Sequence, residues 1–246
     1  MSARPRRRVA AALVGIVAVG AAGCGVLPDL PEPLPDTVVP SFPPPEEVEG
    51  SEILSPDGFD AVSRMAVRIR NIGCEGLSTG SGFAIDATTL ITNKHVVDSS
   101  ESLQLLTYDG RDIPAATAST ADLADLAIVR TTDELPAYPT LATQDPERGD
   151  QVTVVGYPEG GRLTVTQGEV IGTTTDPLNA NLGEVLITDA EVEPGSSGSA
   201  ALNDAGEVIG VVYAKTSTDK SLLVPVSTVQ SMLADEGSFT PAEPCA

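Results

Sequence analysis

Histidine is almost missing from this chain: 246 residues contain one, His95. That scarcity excludes a metal centre built from several imidazoles. It also forces any histidine-dependent chemistry onto a single position, and imidazole is the side chain whose unperturbed pKa lies near neutrality. Tryptophan is absent and aromatics make up only 3% of the residues, while hydrophobic residues reach 41%. The core must therefore be built from Val, Ile, Leu and Ala, here in short β-branched runs that point to strands. Basic residues are few, 14 against 35 acidic ones, and the formal charge is −21. So acidic a surface argues against nucleic acid or an anionic membrane face as a direct partner. There is no Walker motif, no zinc-type His/Cys cluster and no acidic metal loop, so no cofactor and no metal is implied.

What is present divides into three parts. Residues 1–23 have the pattern of an export signal: arginines up to Arg8, then an apolar run from Val9 to Ala22 flanked by small residues. That run falls short of the roughly 18–20 residues that span a bilayer. Ala21-Ala22-Gly23-Cys24 resembles a bacterial lipobox, with Ala at the position where Leu is usual, and assigns Cys24 as a lipidation site. The alternative is ordinary cleavage that leaves Cys24 free. Cysteine parity favours the lipid, because Cys74 and Cys245 then remain as an even pair for one disulfide in an oxidising compartment. Residues 24–57 form a tether, in which Pro28, Pro31, Pro33, Pro35, Pro40, Pro43, Pro44 and Pro45 alternate with acids without an apolar period.

From residue 58 to 246 the texture is that of one folded domain. A short helix-like start at 59–65 precedes strand candidates at 66–70, 82–85, 90–92, 103–107, 126–129, 151–156, 163–171, 185–188, 208–213 and 222–224. Turn residues such as Asp109-Gly110, Pro158-Glu159-Gly160-Gly161 and Asp204-Ala205-Gly206 separate them. A closing helix is expected with Ser227 as N-cap before Val229, Met232 and Leu233. Many short strands and one terminal helix indicate an all-β barrel or sandwich.

Four motifs go further. They are Thr79-Gly80-Ser81-Gly82-Phe83-Ala84-Ile85, Ile91-Thr92-Asn93-Lys94-His95-Val96-Val97, Asp125-Leu126-Ala127-Ile128-Val129 and Gly195-Ser196-Ser197-Gly198. In this order the chain resembles the chymotrypsin-like serine proteases, in particular the bacterial HtrA-like branch and its mycobacterial periplasmic members. The likeness runs from about Ala66 to Leu233. It implies an all-β fold of two six-stranded antiparallel barrels with a short C-terminal helix and an active site in the cleft between the barrels. It also implies a catalytic triad of His95, Asp125 and Ser197, with the main-chain N–H groups of Gly195 and Ser197 as the oxyanion hole. Asp122 begins a similar Asp-Leu-Ala pattern, but the Leu-Ala-Ile-Val run that follows favours Asp125. The Gly-x-Ser-Gly frame selects Ser197 over Ser196. The run Gly80-Ser81-Gly82 can be a plain turn, and no catalytic role is assigned to it.

Departures from the family pattern carry information. Ser196 stands where digestive relatives have Asp, so activation by a freed N-terminal amine is not available. Lys94 replaces the usual Ala and is expected to face solvent. Position relative to Ser197 puts Ala190, Glu191 and Val192 near the specificity pocket, with Val212, Tyr213 and Ala214 as its wall. A pocket mostly apolar and small is favoured, because an unpaired buried Glu191 carboxylate is costly. With 49 residues after Ser197, a PDZ-like module and the cages it supports are not expected, and a monomer is. The reading is a serine endopeptidase of peptide or protein substrates, exported and held at the outer face of the cytoplasmic membrane through lipid alone, or secreted if the lipobox is unused. The rival reading keeps the fold as a weak or inactive peptide-binding lipoprotein.

Overall fold

Val67 and Ile69 are buried while Arg68 and Arg70 on either side are partly exposed, and this alternation makes strand β1 (Ala66–Gly73). In the computed structural model, residues 60–179, 182–243 and 245 are described. The expected leader, Cys24 and the tether lie outside the described residues. A single helical turn, α1 (Ala61–Arg64), is capped by Asp60, whose carboxylate accepts the Ser63 N–H at 2.7 Å, and leads into β1.

The first barrel contains β1, β2 (Gly76–Asp86), β3 (Thr89–Asn93), β4 (Ser100–Thr107), β5 (Asp112–Ala121) and β6 (Leu126–Thr131), with the turn α2 (Lys94–Val97) after β3. Every pair is antiparallel, and β5 pairs with β6 to close the circle. The second barrel is closed from β7 (Gln151–Gly156), β8 (Thr164–Thr175), β9 (Glu184–Thr188), β10 (Ala200–Leu202), β11 (Val208–Lys215) and β12 (Ser221–Pro225). Helix α3 (Val226–Ala234) follows, and the chain then returns to the first barrel, where β13 (Thr240–Pro241) pairs with β5. The fold is therefore mostly β, with two six-stranded barrels and a seventh strand added to the first. The expected architecture is present.

Three apolar clusters hold it. One fills the first barrel with Val67, Ile69, Leu90, Leu105 and Val129, and one fills the second with Val152, Leu186, Ile209 and Leu223. The third joins the barrels, bringing Phe83, Ile91 and Leu126 of the first against Tyr157, Val211, Tyr213 and Val224 of the second. Phe83 is fully buried there. Burying such a side chain contributes about 1.5–3 kcal/mol.

Two features differ from expectation. The run Gly80-Ser81-Gly82 lies inside β2, not in a turn. Ser227 lies inside α3 and does not cap it; the helix starts after Pro225, and a distant carboxylate, Asp145, accepts the Ser227 N–H at 2.9 Å and its hydroxyl at 2.5 Å. Proline offers no side-chain acceptor, so the Ser227 N–H in the first turn is met from outside. The Cys74–Cys245 disulfide is formed and ties the β1–β2 turn to the tail across 171 residues. Among the described residues no helix is long and apolar enough to cross a membrane.

Candidate active site

Strand register brings His95 and Asp125 together. β3 and β6 pair with Asn93 opposite Leu126, so the residue before β6 faces the turn that follows β3. Asp125 sits there at φ 49°, a left-handed conformation that Asp tolerates better than most residues. Its carbonyl oxygen accepts the Lys94 N–H at 2.8 Å and the Asn93 side-chain amide at 3.0 Å. Its carboxylate accepts the His95 main-chain N–H at 3.0 Å on Oδ1 and meets the His95 ring Nδ1 at 2.5 Å on Oδ2. A proton on Nδ1 leaves Nε2 as the accepting nitrogen of a neutral ring. The His95 side chain is 49% exposed, and its Nε2 has no hydrogen-bond partner among the described residues.

Asp122 goes elsewhere. It is 92% exposed and lies 3.4 Å from the Lys94 ammonium, which also bonds Asp98 at 2.9 Å. The hydrogen bond to Asp98 holds the Lys94 pKa above its ordinary value.

Ser197 lies on the loop between β9 and β10. The Ser196 N–H donates to Glu193 O at 2.9 Å and closes a tight turn with Gly195 at φ 94°. Glycine is required there twice over, because a Cβ would fall 2.7 Å from the Glu159 nitrogen and the backbone is left-handed. Gly198 at φ 85° is confined in the same way, with the Ser81 oxygen 2.1 Å from an added Cβ. The N–H groups of Gly195 and Ser197 have no acceptor among the described residues. The Ser197 hydroxyl also has no hydrogen-bond partner there. Catalytic hydrogen bonds to imidazole are often long in a substrate-free site and tighten when substrate binds.

The loop abuts the strand that leads to His95. Ser81 N–H donates to Ser197 O at 2.8 Å, and the Thr92 hydroxyl donates to Ser81 O at 2.6 Å. An added Cβ at Gly198 would come 2.4 Å from the Thr92 hydroxyl, three residues before His95. These contacts pack the Ser197 loop against the strands that lead to the His95 turn.

A cavity of about 200 Å3 opens beside Ser197, lined by Val192, Glu193, Pro194, Val212, Ala214 and Lys215. The Lys215 ammonium bonds Glu193 at 3.1 Å and Asp219 at 3.2 Å, and these bonds raise its pKa. The other residues expected around the pocket are placed differently. Ala190 is fully buried, its oxygen accepting the Ser221 hydroxyl at 2.6 Å. Glu191 is exposed and lines a neighbouring cavity of about 190 Å3 with Thr164, Thr166 and Pro158. Tyr213 is buried in the core between the barrels and donates to Asp176 at 2.7 Å; burial first, and that bond second, raise its pKa. Among the described residues, no group of three or more His, Cys, Asp or Glu side chains could hold a metal ion.

Residues 80–211 match the family model described as "Trypsin-like peptidase domain". The chain is 33% identical over 166 residues to the serine endoprotease DegS of Escherichia coli, which is 61% of this chain and 47% of that protein. It is 35% identical over 142 residues to the serine protease Do-like HtrA of Bacillus subtilis, covering 53% of this chain and 31% of that one. The chain thus spans about half, or less, of the length of these relatives. Among solved structures, the Rv3671c protease of M. tuberculosis in its active form superposes with a TM-score of 0.67 at 26% identity, over 75% of this chain and 87% of that one.

Proposed function

We propose, on the premise that the chain belongs to the family of trypsin-like peptidase domains, that it is a serine endopeptidase acting on protein substrates. Ser197 attacks the scissile carbonyl carbon, and His95 Nε2 takes its proton. Asp125 holds the ring by Nδ1 and stabilises the imidazolium that forms. The N–H groups of Gly195 and Ser197 receive the charge that develops on the substrate oxygen. His95 then passes the proton to the leaving amine, and water repeats the sequence on the acyl-enzyme. The observation that carries this reading is the pair of N–H groups, of Gly195 and Ser197, that meet no acceptor among the described residues, on a loop packed against the strand that leads to His95.

The cavity beside Ser197 favours a small apolar side chain at the cleaved bond. Val192, Val212 and Ala214 line it, and the Lys215 ammonium at its wall is already held by Glu193 and Asp219. An exported location follows from the leader at 1–23, with lipid on Cys24 as the anchor. The DegP-like relative of Hahella chejuensis, 29% identical over 174 residues, is described as a periplasmic endoprotease, in keeping with that placement. A fluorophosphonate probe tests the activity: wild type is labelled and Ser197→Ala is not. Wild type that stays unlabelled sinks the reading and leaves a peptide-binding module.

A further inference from the structure

Ser81 lies in the first barrel, yet both its main-chain N–H and its hydroxyl bond the second. It is fully buried in β2. Its main-chain N–H donates to Ser197 O at 2.8 Å. Its carbonyl oxygen, fixed by the Thr92 hydroxyl at 2.6 Å, is the atom an added Gly198 Cβ would strike. Its hydroxyl donates to Gly195 O at 2.8 Å and accepts the Tyr157 N–H at 2.8 Å. One residue therefore touches Gly195, Ser197 and the space at Gly198, as well as the loop that starts at Tyr157.

That loop supplies a second fastening. The Glu159 N–H donates to Pro194 O at 2.5 Å. The Pro194–Gly195 peptide is trans, so its N–H points opposite to its carbonyl. With the carbonyl turned to Glu159, the Gly195 N–H is aimed the other way, where it meets no described acceptor. The Ser81 hydroxyl fixes the next carbonyl, that of Gly195. Both peptide planes of the turn are thus held by their oxygens, and rotation of either plane would break a hydrogen bond, in the case of Gly195 a buried one. The loop carrying Glu159 is itself tied to the first barrel, because the Arg68 guanidinium donates to Gly160 O at 3.3 Å and Gly161 O at 3.2 Å and lies 5.9 Å from the Tyr157 ring centroid.

We infer that Ser81 is a positioning residue for the oxyanion donors: from the first barrel, its hydroxyl locks the Gly195 turn in the orientation that presents the Gly195 N–H to substrate, with Arg68 bracing the Glu159 loop that holds the Pro194 carbonyl of that turn. This rests on the endopeptidase reading. A full oxyanion donor is worth roughly 100- to 1,000-fold in rate, so its orientation is worth part of that.

The test is the kinetics of fluorophosphonate labelling of the full chain. In that step Ser197 Oγ displaces fluoride from phosphorus, its proton passes to His95, and the phosphoryl oxygen takes the oxyanion position. For Ser81→Ala the maximal labelling rate should fall on the order of 10- to 100-fold. Half-saturation should stay within about two-fold and the pH midpoint should not move, because the His95–Asp125 pair is untouched. A general loosening of the site would shift those two quantities as well. Arg68→Ala should lower the maximal rate several-fold in the same pattern. If folded Ser81→Ala reacts at the wild-type rate, or loses rate and affinity together, the inference is overturned while the reading stands. If Ser81→Ala does not fold by circular dichroism, Arg68→Ala decides on the same criteria. An unlabelled wild type overturns both.

Discussion

The two barrels hold the candidate catalytic residues in different ways. In the first, the His95–Asp125 pair is set by contacts within one barrel: the β3–β6 register and the hydrogen bonds from Asn93, Lys94 and His95 to Asp125. In the second, the Ser197 loop depends on contacts that cross between barrels, from Ser81, and on the Glu159 loop, which Arg68 ties back to the first. The proposed base is held locally, and the loop of the proposed nucleophile is held by assembly. Damage to the interface should therefore reach the serine side before the histidine side.

The largest effects should come from the two proposed reacting groups, one on each barrel. Ser197→Ala and His95→Ala should each lower turnover of a peptide substrate by about a million-fold, and the double variant little further, because such groups act as a unit. Additive losses would separate the two halves and break the comparison. Asp125→Asn comes next, at about 10,000-fold in kcat, because an amide can fix the wrong tautomer of the ring. The fold should be kept, since the Asp125 carbonyl that anchors the turn is main chain. Reduction of Cys74–Cys245 touches the first barrel and its tail. It should lower stability by up to about 5 kcal/mol on the chain-entropy model, seen as a fall in Tm after reduction and alkylation.

A smaller effect reads the interface itself. Burial raises the Tyr157 pKa from 10.0 to about 12, against the opposing pull of Arg68. A proton held more tightly in the folded state stabilises it fully below the ordinary tyrosine value. That stability is lost as pH rises from 10.0 towards about 12. Absorbance titration should therefore show late ionisation that Tyr157→Phe removes; early ionisation of this residue in the native protein would mean an open interface. The smallest effect belongs to Asp122→Ala. An exposed ion pair contributes about 0–1 kcal/mol, so Tm should move little and labelling by fluorophosphonate should not change. A large loss of labelling would put Asp122, not Asp125, behind the imidazole.

Legibility in the sequence followed the same division. His95 was unavoidable as the sole imidazole, and the Leu-Ala-Ile-Val run after Asp125 distinguished it from Asp122, which the geometry ties to Lys94 instead. The disulfide was legible from parity. Strands with strong alternation, such as β1, could be read directly. β5 could not, because Asp-Ile-Pro-Ala-Ala-Thr-Ala-Ser-Thr-Ala carries little apolar contrast and is held by pairing with both β4 and β6. β10, with three residues, and β13, with two, are too short to show a period. The cap of α3 was hidden because its acceptor, Asp145, is 82 positions away. Ser81 is hidden for the same reason: its partners lie 76 and 114 positions along the chain, and a small hydroxyl between two glycines looks locally like a turn.

The path of the tail has a mechanical side. After completing the second barrel the backbone comes home to the first, where β13 joins β5 and Cys245 is bonded to Cys74. The halves are stitched by two crossings of the chain, one at each end of the second barrel, so it cannot swing away as a door does on one hinge. Any motion that parted the barrels would have to twist both stitches at once, and small sliding adjustments of the Glu159 loop and the Gly195 turn are the cheaper movement.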